Sequence, residues 1–396
     1  MAKTETHIPK LRFAGFAGYL DSSSLKEVAL VKDGTHQTPE YTESGVKFLS
    51  VENIEKLASS NKFISEIDFE NNFKIKPQLN DILMTRITAG EIGKTAIIKE
   101  LPYAYYVSLA LIRLNQKVSP NFFHQYAGSS YFKKELNKRI IHVAFPKKIN
   151  LSDLGNCLLS YPSLQEQTKI GDFFQKIDQV IELQQKALDT ARDYKKSMLQ
   201  KMFPQKGEKV PQIRFDGFSG DWEETLLGKI AKITMGQSPD SANYTDNPLD
   251  HILVQGNADL KKGCVFPRIY TTQVTKTANK GDIILTVRAP VGAIAFTDFD
   301  VVLGRGVAGI KGNIFTYYIL EMIRILGIWE KFSSGSTFDS INSNQIKEIQ
   351  ILIPTLEEQQ KIGMFFQKLD QQIEQHEKKL QSYQNLKKAM LQRLFV

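Results

Sequence analysis

Apolar residues recur every three to four positions over two long stretches of this chain. One runs through Ile170, Phe174, Ile177, Ile181, Leu188, Ala191, Met198 and Met202, the other through Ile362, Phe366, Leu369, Ile373, Leu380, Tyr383, Met390 and Leu394. A mean spacing of about 3.5 residues is the seam of a coiled coil, so two long helices that pair through this seam are expected. At 1.5 Å per residue, about forty helical residues span roughly 60 Å, more than packing inside one small domain needs, and the helices read as spacers. Ser163 and Thr355 stand as N-caps with Glu166 and Glu358 three residues on, the capping-box pattern, and Pro162, Pro354 and Pro204 punctuate the ends. One polar residue interrupts each seam at a matching position, Gln184 and His376. In an antiparallel pair these two would either face each other as a register-setting layer or reach solvent separately.

The segments before each helix carry a different pattern. Short apolar runs follow turn residues, Asn80-Asp81-Ile82-Leu83-Met84-Thr85-Arg86 in one and Gly281-Asp282-Ile283-Ile284-Leu285-Thr286-Val287-Arg288 in the other. With KTAIIK, GAIAF and the helical run Phe315 to Leu326, they predict mixed α+β domains.

Both patterns belong to one internal duplication. Residues 162–203 realign on 354–395 without a gap at an offset of 192, with 23 identities, and IPKLRFAGFAG (Ile8 to Gly18) answers VPQIRFDGFSG (Val210 to Gly220). The expected organisation is a lead-in segment (1–19), a first variable domain (20–161), a central helix (162–204), a linker and second lead-in (205–220), a second variable domain (221–353) and a C-terminal helix (354–396).

Composition narrows the chemistry. With 42% hydrophobic residues each domain can bury a core, and a net charge of +8 with pI near 9.1 suits a polyanionic partner without requiring one. Cys157 and Cys264 stand far apart with no ligand-spaced neighbours, so no disulfide framework or metal site is indicated. The N-terminus has no signal-peptide core and no stretch reaches membrane-span length, so a cytoplasmic protein is expected.

A shared scaffold with divergent surfaces, placed twice on a spacer, suits a reader of a two-part target. The candidate contacts in the first domain are the turn Gly34, Thr35, His36 and Thr38, the strand end Thr85 and Arg86, and Lys133, Lys134, Arg139 and Lys147 from a stretch with six basic residues against one acidic between Tyr131 and Lys148. In the second they are Gly236, Gln237, Ser238, Arg288, Arg305 and the short-hydroxyl run Ser334, Gly335, Ser336 and Thr337. For each arginine the alternatives are a phosphate or guanine contact and a salt bridge within its own domain; for the basic stretch, a phosphate-tracking face and a solvated helix face. Residues 212–353 hold 14 basic and 15 acidic side chains, so a DNA face there must come from uneven distribution.

Enzymatic signatures are weak. Gly304-Arg305-Gly306-Val307-Ala308-Gly309 has dinucleotide-loop spacing without a succession of βαβ units around it. Gly90-Glu91-Ile92-Gly93-Lys94-Thr95 is two residues too short between its glycines for a phosphate loop, and Asn247-Pro248-Leu249-Asp250 lacks the motif of adenine methyltransferases. No catalytic or metal site is expected.

The duplicated P-S/T-L-Q/E-E-Q-x-K-I-G-x-F-F-Q-K-I/L-D helix starts, the K-K-x-M-L-Q-K/R helix ends, the RFxGF lead-ins and the Gly-Asp-Ile-Ile-Leu-Thr-Val-Arg strand together resemble the specificity subunits of Type I restriction-modification systems over nearly the full length. That resemblance implies two target-recognition domains held by two antiparallel coiled-coil helices and a bipartite, asymmetric DNA site read through the major groove. It also implies two modification subunits docked on the helical repeats, with S-adenosylmethionine there and ATP and Mg²⁺ on restriction subunits. The rival reading is a non-catalytic scaffold presenting two protein-binding domains.

Overall fold

The computed structural model describes residues 8–329 and 340–395. The chain forms two units, one ending at Gln185 and completed by Lys378–Val396, the other Lys186–Glu377, so both boundaries fall inside the long helices.

In the first unit β1 (Ala29–Asp33), β2 (Val46–Leu49), β3 (Ile82–Thr85), β4 (Thr95–Ile97), β5 (Tyr103–Tyr105) and β6 (Leu109–Leu114) precede α1 (Pro120–Ala127), α2 (Ser130–Asn137) and the long α3 (Leu164–Lys201). The main sheet runs β1-β6-β3-β4, all antiparallel, and its register lines up Val31, Ile112, Ile82 and Ile97 in one row. All four residues of β3 are buried because both faces of the sheet are covered. Ile82 and Met84 join Phe122 and Phe123 of α1 on one side, and Leu83 joins Leu49 and Tyr105 of the parallel β2–β5 pair on the other. That is why the run is continuously apolar instead of alternating. Asn80, at φ 71°, makes the turn into β3, and the carboxylate of Asp81 accepts the Gln78 N–H at 2.8 Å.

The second unit repeats this plan with β7 (Lys232–Met235), β8 (His251–Val254), β9 (Ile283–Thr286), β10 (Ile294–Phe296), β11 (Val301–Leu303), β12 (Val307–Lys311), α4 (Ile314–Ile325) and the long α5 (Leu356–Leu394). Four strands of its six-stranded sheet, in the order β7-β12-β9-β10 with the row Ile233, Ile310, Ile283, Phe296, match the four of the first sheet. Gly281, at φ 91°, stands where Asn80 stands, and Asp282 accepts the Asn279 N–H at 2.8 Å.

The long helices pair antiparallel within each unit. In the first, Phe174 near the start of α3 stacks on Phe395 just beyond the end of α5 (5.8 Å between centroids), and Asp178 meets Lys387 at 2.6 Å. In the second, Phe366 stacks on Phe203 (6.2 Å) and Asp370 meets Lys195 at 2.6 Å. Each contact is the other shifted by the repeat offset, with the roles of the copies exchanged.

Two expectations need correction. The helix starts are not bare spacers: Ile170 and Phe174 lie in the same core as Phe122 and Ile112, and Ile362, Phe366 and Leu369 in the core of Phe315 and Ile310. The seam has a domain on one side of it. Ile177 is buried as well, whereas Ile181 and Ile373 are half-buried. Gln184 and His376 are both half-buried, the first in one unit and the second in the other.

Nor are the capping boxes closed. The caps themselves are present, Ser163 accepting the Glu166 N–H at 3.5 Å and Thr355 the Glu358 N–H at 3.4 Å. The glutamate side chains are taken by the lead-in arginines instead. Arg12 grips Glu166 through Nε (3.0 Å) and Nη2, and Arg214 grips Glu358 through Nε and Nη2, both at 2.8 Å. A buried carboxylate gains more from a bidentate guanidinium than from one backbone N–H. The lead-ins are fastened by backbone too: the Leu11 N–H donates to Arg393 (3.0 Å) and the Ile213 N–H to Lys201 (2.9 Å).

His124 of α1 sits under Thr95, with Nδ1 2.8 Å from its hydroxyl. Burial, and then the charge of Lys387, pushes its pKa down to about 4. The folded chain therefore keeps a neutral imidazole where the unfolded chain, titrating near 6.5, takes up a proton. Stability from this site is present in full above pH 6.5 and is lost as pH falls from 6.5 through 4, by about 3 kcal/mol in all. Urea midpoints measured from pH 7 to 4.5 should fall further for the natural chain than for His124→Gln.

Candidate nucleic-acid interface

The distal edge of each sheet gathers the same four segments. In the first unit these are the turn after β1, the strand end after β3, the connection 106–108 before β6, and the pair Lys147–Lys148, which lies antiparallel to Ile87–Thr88. The turn is laid across the connection: the Thr35 N–H donates to Tyr105 (3.1 Å) and the Val107 N–H to Thr35 (2.9 Å). In the second unit the Gly236 N–H donates to Val307 (3.0 Å), the Gln237 N–H to Leu303 (2.8 Å) and the Arg305 N–H to the Ser238 hydroxyl (3.1 Å).

Several expected contacts are instead the frame. A Cβ on Gly34 would run into the Tyr105 carbonyl and one on Gly236 into that of Gly304, so both glycines are there to let backbones cross. Thr85 is buried; its hydroxyl donates to the Glu91 carbonyl (2.8 Å) and accepts the Lys94 N–H (3.0 Å), closing the β3–β4 loop. Thr286 does the same with Pro290 (2.8 Å) and Ala293 (2.9 Å).

Arg86 is also corrected. Only 7% exposed, it donates to Asp33 Oδ2 (3.1 Å), the Val107 carbonyl (3.1 Å) and the Ile149 carbonyl (3.3 Å), tying three segments of the edge together. Its position corresponds to Val287: Arg86 donates its N–H to Ser108 and accepts from Ile149, as Val287 does with Gly306 and Ile341. Arg288 is one residue further on. Strand side chains alternate faces, so that single step turns an internal arginine into an exposed one.

Arg288 and Arg305 therefore flank the same backbone pairing, the Val287 N–H donating to Gly306 at 2.9 Å, with exposed Gln237 and half-buried Ser238 beside them. Two exposed cations thus share one edge although residues 212–353 carry a formal charge of −1. Ser334, Gly335, Ser336 and Thr337 lie outside the described residues.

In the first unit the edge carries His36, which meets Asp33 at 2.9 Å, exposed Thr38, and exposed Lys147 and Lys148. The basic stretch is not one face. Lys133 pairs with Glu91 (2.7 Å), Arg139 with Glu135 (2.8 Å), and Lys134 lies over the Tyr131 ring. Gly304–Gly306 form the turn between β11 and β12, and Val307–Gly309 already belong to β12, so the run leads into a strand where a dinucleotide loop would lead into a helix. Among the described residues no three His, Cys, Asp or Glu side chains are placed to hold a metal ion, and no helix is long and apolar enough to cross a membrane.

Sequence reasoning missed the Arg12–Glu166 and Arg214–Glu358 pairs and the Asp178–Lys387 and Asp370–Lys195 pairs. The signal was present: all eight residues recur between copies at the repeat offsets.

Comparison with known proteins agrees with this architecture. Residues 20–191 and 219–383 match the Type I restriction modification DNA specificity domain. The putative type I restriction enzyme MjaX specificity subunit of Methanocaldococcus jannaschii is 29% identical over 344 residues, 83% of this chain and 80% of the relative. The Type-I restriction-modification system S subunit from M. genitalium superposes with a TM-score of 0.67 over 98% of this chain and 99% of that one, at 15% identity. A chain from a type I R-M system solved for its complex assembly and conformational transition gives 0.59 over 94% and 96%, at 21% identity. At such identities these structures speak for the fold alone. With the family match spanning both halves, the chain belongs to the Type I restriction-modification DNA specificity family and is a specificity subunit, the non-catalytic recognition component of such a system.

Proposed function

We propose that the distal edge of each unit reads one half of a bipartite, asymmetric DNA site. The observation that carries this reading is one frame used twice with different side chains on it. Thr85 and Thr286 close the same loop and Gly34 and Gly236 make the same crossing, yet His36, Thr38, Lys147 and Lys148 line one edge and Gln237, Ser238, Arg288 and Arg305 the other. One frame carrying two different sets of polar side chains at its edge fits two readers of different sequences. Arg288 and Arg305 suit guanine O6 and N7; the lysines suit phosphates.

The surfaces that do not diverge fit a partner common to both halves. Leu164 and Leu356, Ile8 and Val210, and Leu11 and Ile213 are exposed apolar pairs beside the Arg–Glu locks. In this reading one modification subunit docks at each, bringing S-adenosylmethionine for adenine methylation, and restriction subunits bring ATP and Mg²⁺ for cleavage. The helices set the gap between half-sites.

Selection from a random duplex library by the chain assembled with its modification subunit tests the reading. Enrichment of one two-part motif with a fixed gap is expected. A flat library from an intact complex would leave a scaffold.

A further inference from the structure

Between α2 and Lys147 the chain makes a short finger whose tip is apolar. Its base is closed by the Ile141 N–H donating to Lys148 (2.8 Å), and the His142 ring reaches the Asn137 carbonyl at 3.2 Å. At the tip Val143 is 96% and Phe145 92% exposed, the barest large apolar side chains among the described residues of the first unit. A loop that only connected two elements would place polar residues there, since each apolar side chain left in water forgoes about 1.5–3 kcal/mol of burial.

The finger is held at the proposed reading edge. Lys147 and Lys148 pair with Thr88 and Ile87, and the next residue, Ile149, is bound by Arg86 through both backbone and side chain. Arg86 also holds Asp33 and Val107, so the finger shares one anchor with the turn that carries His36. Cations flank the tip on both sides, Lys138 and Arg139 before it and Lys147 and Lys148 after it; the first two share Glu135, while the last two stand exposed. An apolar tip between cations, on a rigid base, suits a polyanion with a stacked apolar interior, which is duplex DNA. A ring that only touched a thymine methyl would need one open face. At 92% exposure Phe145 offers both, which is what insertion between base pairs requires.

We propose that Phe145, with Val143 beside it, is a wedge that enters a base step of the half-site read by the first unit and unstacks it. The proposal rests on the DNA-reading function above and adds to it a deformation of the site, so that part of the specificity comes from how easily one step opens.

The test uses the chain assembled with its modification subunit and a duplex carrying the selected motif, with 2-aminopurine placed in turn at each step of the first half-site. The natural chain should raise fluorescence several-fold at one step. Phe145→Ala should abolish that rise and weaken binding on the order of 10- to 100-fold, with an unchanged slope of log K against log salt. Phe145→Trp should keep both. Lys147→Ala with Lys148→Ala should lower the slope by about 2 and keep the fluorescence rise in whatever duplex remains bound.

If Phe145→Ala binds as tightly as the natural chain and no step brightens, while the lysine variant still weakens binding to the motif, the wedge is wrong and the reading stands. If neither variant changes binding and the motif is not preferred over scrambled duplex, the reading itself fails. Loss of the modification subunit from Phe145→Ala, with DNA binding by the chain intact, would overturn the proposal in favour of a protein contact.

Discussion

Replacing Phe366 with alanine should destabilise the second unit by roughly 3–5 kcal/mol, the usual cost of emptying a large aromatic site in a packed core. Phe366 is fully buried and packs edge and face against Tyr318 (5.1 Å), Phe365 (5.2 Å) and Phe203 (6.2 Å). These come from α4, from α5 itself and from the segment just past α3, so one cavity loosens helix, partner helix and domain together. For a unit of this size the melting temperature should drop by about 6–20 °C. Met364 sits two residues away on the same helix but is 59% exposed, and its alanine variant should stay within about 0.5 kcal/mol of the natural chain. Calorimetry on both variants distinguishes a helix start that is domain core from a spacer lying outside the domain. Equal melting of the two variants would contradict the helix start as core.

The second large effect concerns recognition. Arg288→Ala with Arg305→Ala should weaken specific binding by roughly 2–6 kcal/mol, at about 1–3 kcal/mol for each arginine–guanine pair removed. It should relax the sequence required in one half-site only. The fold should tolerate the change, because both guanidinium groups are exposed. Arg86→Ala should behave in the opposite way. It strips the hydrogen bonds from Asp33, Val107 and Ile149, so it should lower the melting temperature before it alters recognition. Fluorescence anisotropy on the selected motif, beside thermal melts, distinguishes the buried Arg86 from the exposed Arg288 and Arg305.

That contrast marks how far the sequence could be read. The long helices were legible because their 3.5-residue seam is a local, repeated pattern, and the central strands because three apolar residues and a threonine after an Asn-Asp or Gly-Asp turn admit few alternatives. The offset of one residue between Arg86 and Arg288 was also visible. Its meaning was not, since only strand register says which face a side chain takes, and in this fold the register buries one arginine and exposes the other. Glu166 and Glu358 misled for a similar reason. The i, i+3 capping pattern is local, whereas the arginines that take the carboxylates stand 154 and 144 residues away in sequence. Likewise the lysines between Tyr131 and Lys148 formed one basic stretch on paper, and the fold distributes them among Glu91, Glu135, the Tyr131 ring and the exposed edge.

The central claim is that this chain gives a methyltransferase complex its address. Co-expressing it with its modification subunit and mapping methylated adenines across the host genome by single-molecule sequencing tests that most directly. The account predicts methylation at one two-part motif with a fixed gap, one half of which changes when Arg288 and Arg305 are replaced. An assembled, active complex that methylates no such motif, or whose motif is indifferent to both arginines, would contradict it.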